Sequence, residues 1–290
     1  MSTRLRPSLA VAAFACALSL TLSSCGGPED PTSTGGAGTS GGRTSSGTGA
    51  PDVPALPAWM KPLEQGERKN LLLVTLDGVR ADHLVSYGAP TASTPRLDHL
   101  AATGVRFSQA ISSSPLSLPA HASIMTGLYP FRHGLRTDRA HRLTDEAQTL
   151  ASRLQAAGFD TAAVVSSALL GMNTGIERGF DHLNEDLVAG SVVIDRSKRT
   201  THAGDVVRRA RAWLEQPRDE KPYFLWLHFS DPLQPYLPPP GYAKRAAGNP
   251  YDGEISYVDE QIGVILDLLR ARGELSDTLV VVCGAHGQSL

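Results

Sequence analysis

From Lys69 onward, short unbroken apolar stretches alternate with longer ones in which apolar residues recur every three or four positions. The unbroken stretches are Leu71 to Leu76, Thr161 to Val165, Tyr223 to Phe229 and Thr278 to Cys283. They are too short for helices and too uniformly apolar to keep one wet face, so they predict strands covered on both sides. Between them, Leu97, Leu100 and Ala101 form a stripe that opens at Thr94-Pro95, predicting Thr94 as the cap, and stops at Gly104. A second helix is predicted from about Asp145 to Ala157. A third carries Val206, Val207, Ala210, Trp213 and Leu214 on one face. A fourth carries Ile255, Val258, Ile262, Ile265, Leu266 and Leu269 before Gly273. Strands alternating with helices predict an α/β fold, a sheet flanked by helices.

The N-terminal pattern is different in kind. Arg4 and Arg6 precede an apolar run from Leu9 to Leu22, and Ser23-Ser24-Cys25 closes it. That layout predicts an export signal, too short to span a bilayer. The small residues before Cys25 resemble a bacterial lipobox, which would make Cys25 the lipidated mature N-terminus; an ordinary cleaved signal or a short membrane anchor fits the same residues. Residues 26–56 are nearly all Gly, Ser, Thr, Pro and Ala, and predict a tether without a core. The expectation is an exported, membrane-anchored envelope lipoprotein with signal 1–25, linker 26–56 and folded domain 69–290.

Two compositional facts narrow the field. Cys283 is the single cysteine beyond Cys16 and Cys25, so the mature chain has no internal disulfide. Charges nearly cancel, with 27 Lys+Arg against 29 Asp+Glu, and no basic stripe interleaves with aromatics, which argues against a nucleic-acid partner.

The candidate chemistry starts at Asp77, where the first strand ends in Asp77-Gly78-Val79-Arg80-Ala81-Asp82-His83. Ligands of open α/β sheets bind at that strand edge, so Asp77 can hold a hard divalent cation or cap the next turn. Ser114-Pro115-Leu116-Ser117-Leu118-Pro119-Ala120-His121 runs on to Thr126-Gly127. This segment resembles the nucleophile segment of the sulfatase family, in the alkaline-phosphatase superfamily. Supporting pieces stand in order: Thr94-Pro95-Arg96-Leu97-Asp98, Gly104-Val105-Arg106-Phe107, Tyr129-Pro130, His133-Gly134-Leu135-Arg136, Gly179-Phe180-Asp181, Trp226-Leu227-His228-Phe229, Asp231-Pro232 and Tyr251-Asp252-Gly253-Glu254-Ile255.

The resemblance implies the sulfatase mixed sheet and activity on sulfate or phosphate esters. It implies Ser117 as nucleophile at a helix N-terminus, where anions are favoured. Taken alone, Ser117 is equally a helix cap. Asp77 and His286 become metal ligands, His121 a catalytic-site residue, and Arg80, His133 and Arg136 substrate contacts. The implied ion is Ca²⁺, with Mn²⁺ or Mg²⁺ as alternatives. His83, His99 and His228 read as surface or core histidines, with no ligand spacing.

The sequence also departs from the family pattern. His121 replaces the helix arginine read by the formylglycine-forming enzyme, which speaks against conversion of Ser117 and for an unmodified serine. Leu233 replaces a substrate-facing histidine. The last strand leads to Ala285-His286-Gly287-Gln288 where the family has Asp-His-Gly-Glu, and loss of that carboxylate is expected to weaken the metal. The chain also stops at Leu290 straight after an apolar strand, suggesting truncation or a missing cover. Three readings follow: a sulfatase-like hydrolase impaired by these substitutions, a catalytically silent envelope lipoprotein binding an anionic glycan or a protein, and a truncated gene product. Its protein partner is unknown.

Overall fold

A computed structural model describes residues 69–89, 92–138, 142–171, 173–184, 203–218 and 220–290. The predicted signal, Cys25 and the 26–56 tether lie outside the described residues. Among the described residues, no helix is long and apolar enough to cross a membrane.

Five parallel strands form one sheet: β1 Asn70–Leu76, β2 Asp160–Val165, β3 His182–Asn184, β4 Tyr223–Phe229 and β5 Thr278–Gly284, in the order β3-β2-β4-β1-β5. The apolar stretches located four of them to within a residue. β3 is three residues with one apolar side chain and left no such mark. On β5, the side away from β1 has no strand partner among the described residues.

Strand alternation divides the core in two. Leu72, Val74, Leu76, Leu225, Leu227 and Phe229 point to one face, where helices α1 Pro95–Thr103, α5 Ala203–Leu214 and α7 Pro250–Ala271 pack. Leu73, Phe224, Trp226 and Val281 point to the other, under α2 Ser117–Thr126 and α4 Leu150–Ala156. Two short helices complete the chain, α3 Pro130–His133 and α6 Tyr242–Arg245.

Helix starts depend on distant residues as well as local ones. Asn249 caps α7 through its carbonyl oxygen, which accepts from the N–H groups of Tyr251 and Asp252. Thr94 does not cap α1 as expected: its hydroxyl turns to Asp98. The carboxylate of Asp259, on α7, takes the N–H groups of Arg96 (3.1 Å) and Leu97 (2.8 Å) instead. The helix expected from Asp145 begins only at Leu150, capped by Thr149. Upstream, the Arg178 guanidinium binds the carbonyls of Thr144, Asp145 and Ala147, and so competes with helical pairing there.

Candidate active site

Parallel pairing brings the C-terminal ends of β1, β2, β4 and β5 to one edge, with Leu76 opposite both Phe229 and Gly284, and Val165 opposite His228. Alternation then sorts the side chains. Thr75 lies opposite His228 in the β1–β4 register, and both share the face of Leu73 and Trp226, beneath α2. Asp77, two residues beyond Thr75, reaches the same side at the edge. On α2, Ser117 and His121 are one turn apart and present a common face to the sheet.

These placements converge. The Ser117 hydroxyl lies 2.8 Å from Asp77 Oδ2 and 3.1 Å from His286 Nε2. His228 Nε2 is 3.2 Å from the same Asp77 oxygen. The His121 ring is fully buried, with Nδ1 donating to the Ser117 carbonyl (2.7 Å) and Nε2 3.0 Å from the Thr75 hydroxyl. Trp226 Nε1–H donates to Thr75 as well. Asp77 Oδ1 is buried and makes no hydrogen bond among the described residues.

Burial alone would raise the Asp77 pKa, but the rings of His121 and His228, the His228 hydrogen bond and His286 together hold it well below the usual carboxylate range. Burial dominates at His121 and pushes its pKa down to about 4, against the attraction of Asp77, so the ring is neutral at physiological pH. The site therefore has one fixed negative charge surrounded by imidazoles.

Of the residues singled out from sequence, Asp77, Ser117, His121 and His286 stand together. Ser117 is the first helical residue, and Leu116 takes the cap position. His133, the last residue of α3, is buried away from these four, with Nε2 3.0 Å from the Ser123 hydroxyl on α2 and Nδ1 accepting from the Leu135 N–H. Arg80 forks onto the Asp82 carboxylate, and Arg136 is exposed. Leu233 donates its N–H to Glu254, which also takes the Leu237 N–H and so pins the loop after Asp231-Pro232.

Several contributors went unread in the sequence. His228, taken there as an unpaired core histidine, is buried but directly partnered with Asp77. The clue was positional: a polar residue near the end of an otherwise apolar strand, in register with the residue two before Asp77. Asp138 was also missed. Its carboxylate accepts the Leu118 N–H (2.9 Å) and so occupies part of the α2 N-terminus, where an anion would bind.

The donors present do not fit the implied Ca²⁺. That ion takes about six to eight oxygens. The oxygens here are the two of Asp77, the Ser117 hydroxyl and the Thr75 hydroxyl, while Ala285 contributes a buried methyl. The remaining donors are imidazole nitrogens. Asp77, His121 and His228 together nonetheless make a possible divalent-metal cluster.

The sulfatase family model matches residues 69–290. Among curated relatives, an arylsulfatase of Klebsiella aerogenes is 26% identical over 73% of this chain and 52% of its own length. An ulvan-active sulfatase of Formosa agariphila is 26% identical over 80% of this chain and 53% of its own. The chain thus spans about half the length of these relatives. The phosphonate monoester hydrolase of Agrobacterium radiobacter superposes with a TM-score of 0.62 at 20% identity, over 76% of this chain and 63% of that one. A Vibrio parahaemolyticus protein of the alkaline phosphatase superfamily gives 0.62 at 21% identity, over 78% and 56%.

Proposed function

Because the chain belongs to the sulfatase family, we propose that it is the nucleophile-bearing part of a sulfatase-like hydrolase that cleaves sulfate or phosphate esters with Ser117 as an unmodified serine. The observation that carries this reading is the Ser117 hydroxyl in the first turn of α2, within hydrogen-bond reach of both Asp77 and His286. His286 Nδ1 lies 2.8 Å from the Gly287 carbonyl, which can only accept, so Nδ1 carries a proton, and in the neutral ring Nε2 can take the Ser117 proton when the hydroxyl turns to it from Asp77 Oδ2. A nucleophile beside a held base is the arrangement that activates a hydroxyl.

In the proposed reaction Ser117 Oγ attacks the sulfur or phosphorus and passes its proton to His286 Nε2. The bond to the ester oxygen breaks, and the alcohol leaves with that proton. Water then attacks the sulfo- or phospho-serine, releasing the inorganic anion and restoring the hydroxyl. His121, neutral and buried, holds the Ser117 carbonyl and so fixes the first turn. The names of the relatives make aryl sulfates and sulfated glycans the first substrates to try.

A second reading, a silent binding protein, is favoured by the methyl of Ala285 and by Asp138 at the helix N-terminus. Incubation with para-nitrophenyl sulfate and para-nitrophenyl phosphate, with mass spectrometry of the Ser117 peptide, separates the two. Turnover or a covalent adduct lost in Ser117→Ala supports the hydrolase. Turnover unchanged in that variant overturns the assigned nucleophile, and neither signal in the parent chain leaves the binding reading.

We also propose that the protein is exported and anchored in the cell envelope through lipid on Cys25. Cys25→Ser should move it from the membrane to the soluble fraction; retention in the membrane would show that another segment anchors it.

A further inference from the structure

We propose that Asp77, His121 and His228 form a site for a borderline transition cation, Zn²⁺ or a congener such as Co²⁺, lying beneath Ser117 and discriminating against Ca²⁺. The three residues are buried, and the ligand atoms they can offer all lie within 4.8 Å of one another. Asp77 Oδ1 is the second, independent sign. It is a buried, charged oxygen with no hydrogen bond among the described residues, 3.9 Å from His121 Nδ1 and 3.4 Å from His286 Nε2. Leaving such an oxygen unpaired is costly, and a cation satisfies it as no neutral group can.

The donor chemistry selects the ion. Imidazole suits zinc, cobalt and nickel, whereas Ca²⁺ and Mg²⁺ bind through oxygen. Two nitrogens and one carboxylate match the three protein ligands typical of an open zinc site. A single negative charge among nitrogens gives Ca²⁺ little to hold.

The proton accounting closes as well. To bind, each ring must turn a lone pair inward and hand its proton to the other nitrogen. His121 can carry it on Nε2, where the Thr75 hydroxyl, 3.0 Å away, accepts alongside the Trp226 N–H. His228 can carry it on Nδ1, 3.2 Å from the Ser166 hydroxyl, once that nitrogen releases the Ser166 N–H it now accepts at 3.3 Å. Three bonds are given up in exchange, His121 to the Ser117 carbonyl, His228 to Asp77 and the Ser166 N–H to His228. Hydrogen-bonded partners on the far nitrogen are what orient metal-binding histidines in general.

The ligand set differs from the one the sequence implied. His286 Nε2 also lies 3.4 Å from Asp77 Oδ1 but is outside the cluster of three and is not required, whereas His121 and His228 are. The ion would stand behind the nucleophile and rigidify the α2–β4 contact.

The test uses the full-length chain, stripped with chelator and titrated with Co²⁺ while its visible absorption is followed. The site predicts d–d bands that Zn²⁺ removes and millimolar Ca²⁺ leaves alone. Asp77→Asn, His121→Ala and His228→Gln should each weaken Co²⁺ binding by about tenfold or more, and His286→Ala by less than about threefold. Circular dichroism establishes that each variant folds. Should any fail to fold, the parent chain still decides, because Zn²⁺ must raise its melting temperature and Ca²⁺ must not. Absence of Co²⁺ binding, displacement by Ca²⁺, or binding that survives loss of both histidines would overturn the proposal. The readout is metal rather than turnover, so its failure is distinct from failure of the hydrolase reading.

Discussion

Ala285 is sealed at the sheet edge, its N–H given to the Leu76 carbonyl at 2.8 Å and its own carbonyl taken by the Ser112 hydroxyl. It follows Cys283 by two residues and so shares the face of Asp77 and Ser117. A carboxylate introduced there would add a second negative charge to a site that already holds the buried Asp77 carboxylate. Ala285→Asp should therefore destabilise the chelator-treated protein by roughly 1–3 kcal/mol while giving it a Ca²⁺-dependent rise in melting temperature that the parent chain lacks. Thermal unfolding in chelator and in millimolar Ca²⁺ reads both effects. If the variant ignores Ca²⁺, the missing carboxylate is not what excludes this ion. The same residue shows what the sequence could tell. Asp77 was marked by its place just past a buried strand, and Ser117 and His286 by resemblance to the family's motifs, whereas the contact of His228 with Asp77 depended on which strand paired with β1.

Elements defined by their own residues were legible, and those defined by distant partners were not. β4 lies at the centre of the sheet, buried throughout, and its apolar run located both of its ends. β3 forms by pairing to β2 and carries only His182, Leu183 and Asn184, so no local pattern marked it. The start of α1 follows the same rule, because its capping carboxylate comes from Asp259, 162 residues beyond Leu97. A cap of this kind contributes typically ~1 kcal/mol, and a buried one leaves two N–H groups unpaired when it is lost. Asp259→Ala should cost about 1–2 kcal/mol in denaturant unfolding, and Asp259→Asn, which keeps one acceptor, less. Equal stability of all three proteins would mean that water satisfies the α1 terminus just as well.

For the molecule as a whole, two buried carboxyls set the pH dependence of folding near neutrality. Burial pushes Glu254 up to about 7, against the N–H groups of Leu233 and Leu237, with nearby Asp231 adding to the rise. Burial pushes Asp259 up to about 6 in the same way. Both bind protons more tightly folded than unfolded, so the stability they contribute is fully present below the unfolded carboxyl range and is lost as pH rises through 6 and 7. Asp77 and His121 shift the other way: Asp77 acts only at low pH, whereas the buried His121 ring adds stability as pH rises from about 4 to 6.5. Above pH 6.5, where His121 no longer opposes them, the unfolding free energy should fall by on the order of 1 kcal/mol up to pH 8, allowing for solvent screening. Glu254→Gln should flatten the upper part of that fall, and a slope unchanged in this variant would remove Glu254 as its source. The strand order has one more consequence, which concerns time. A chain made from its N-terminus presents β1, α2 and β4 long before β5, and His286 reaches Ser117 across 169 residues. Asp77, His121 and His228 can therefore assemble first, and Ser117 gains its proposed base only when the last strand docks. Chemistry at this edge is withheld from the growing chain until β5 is in place.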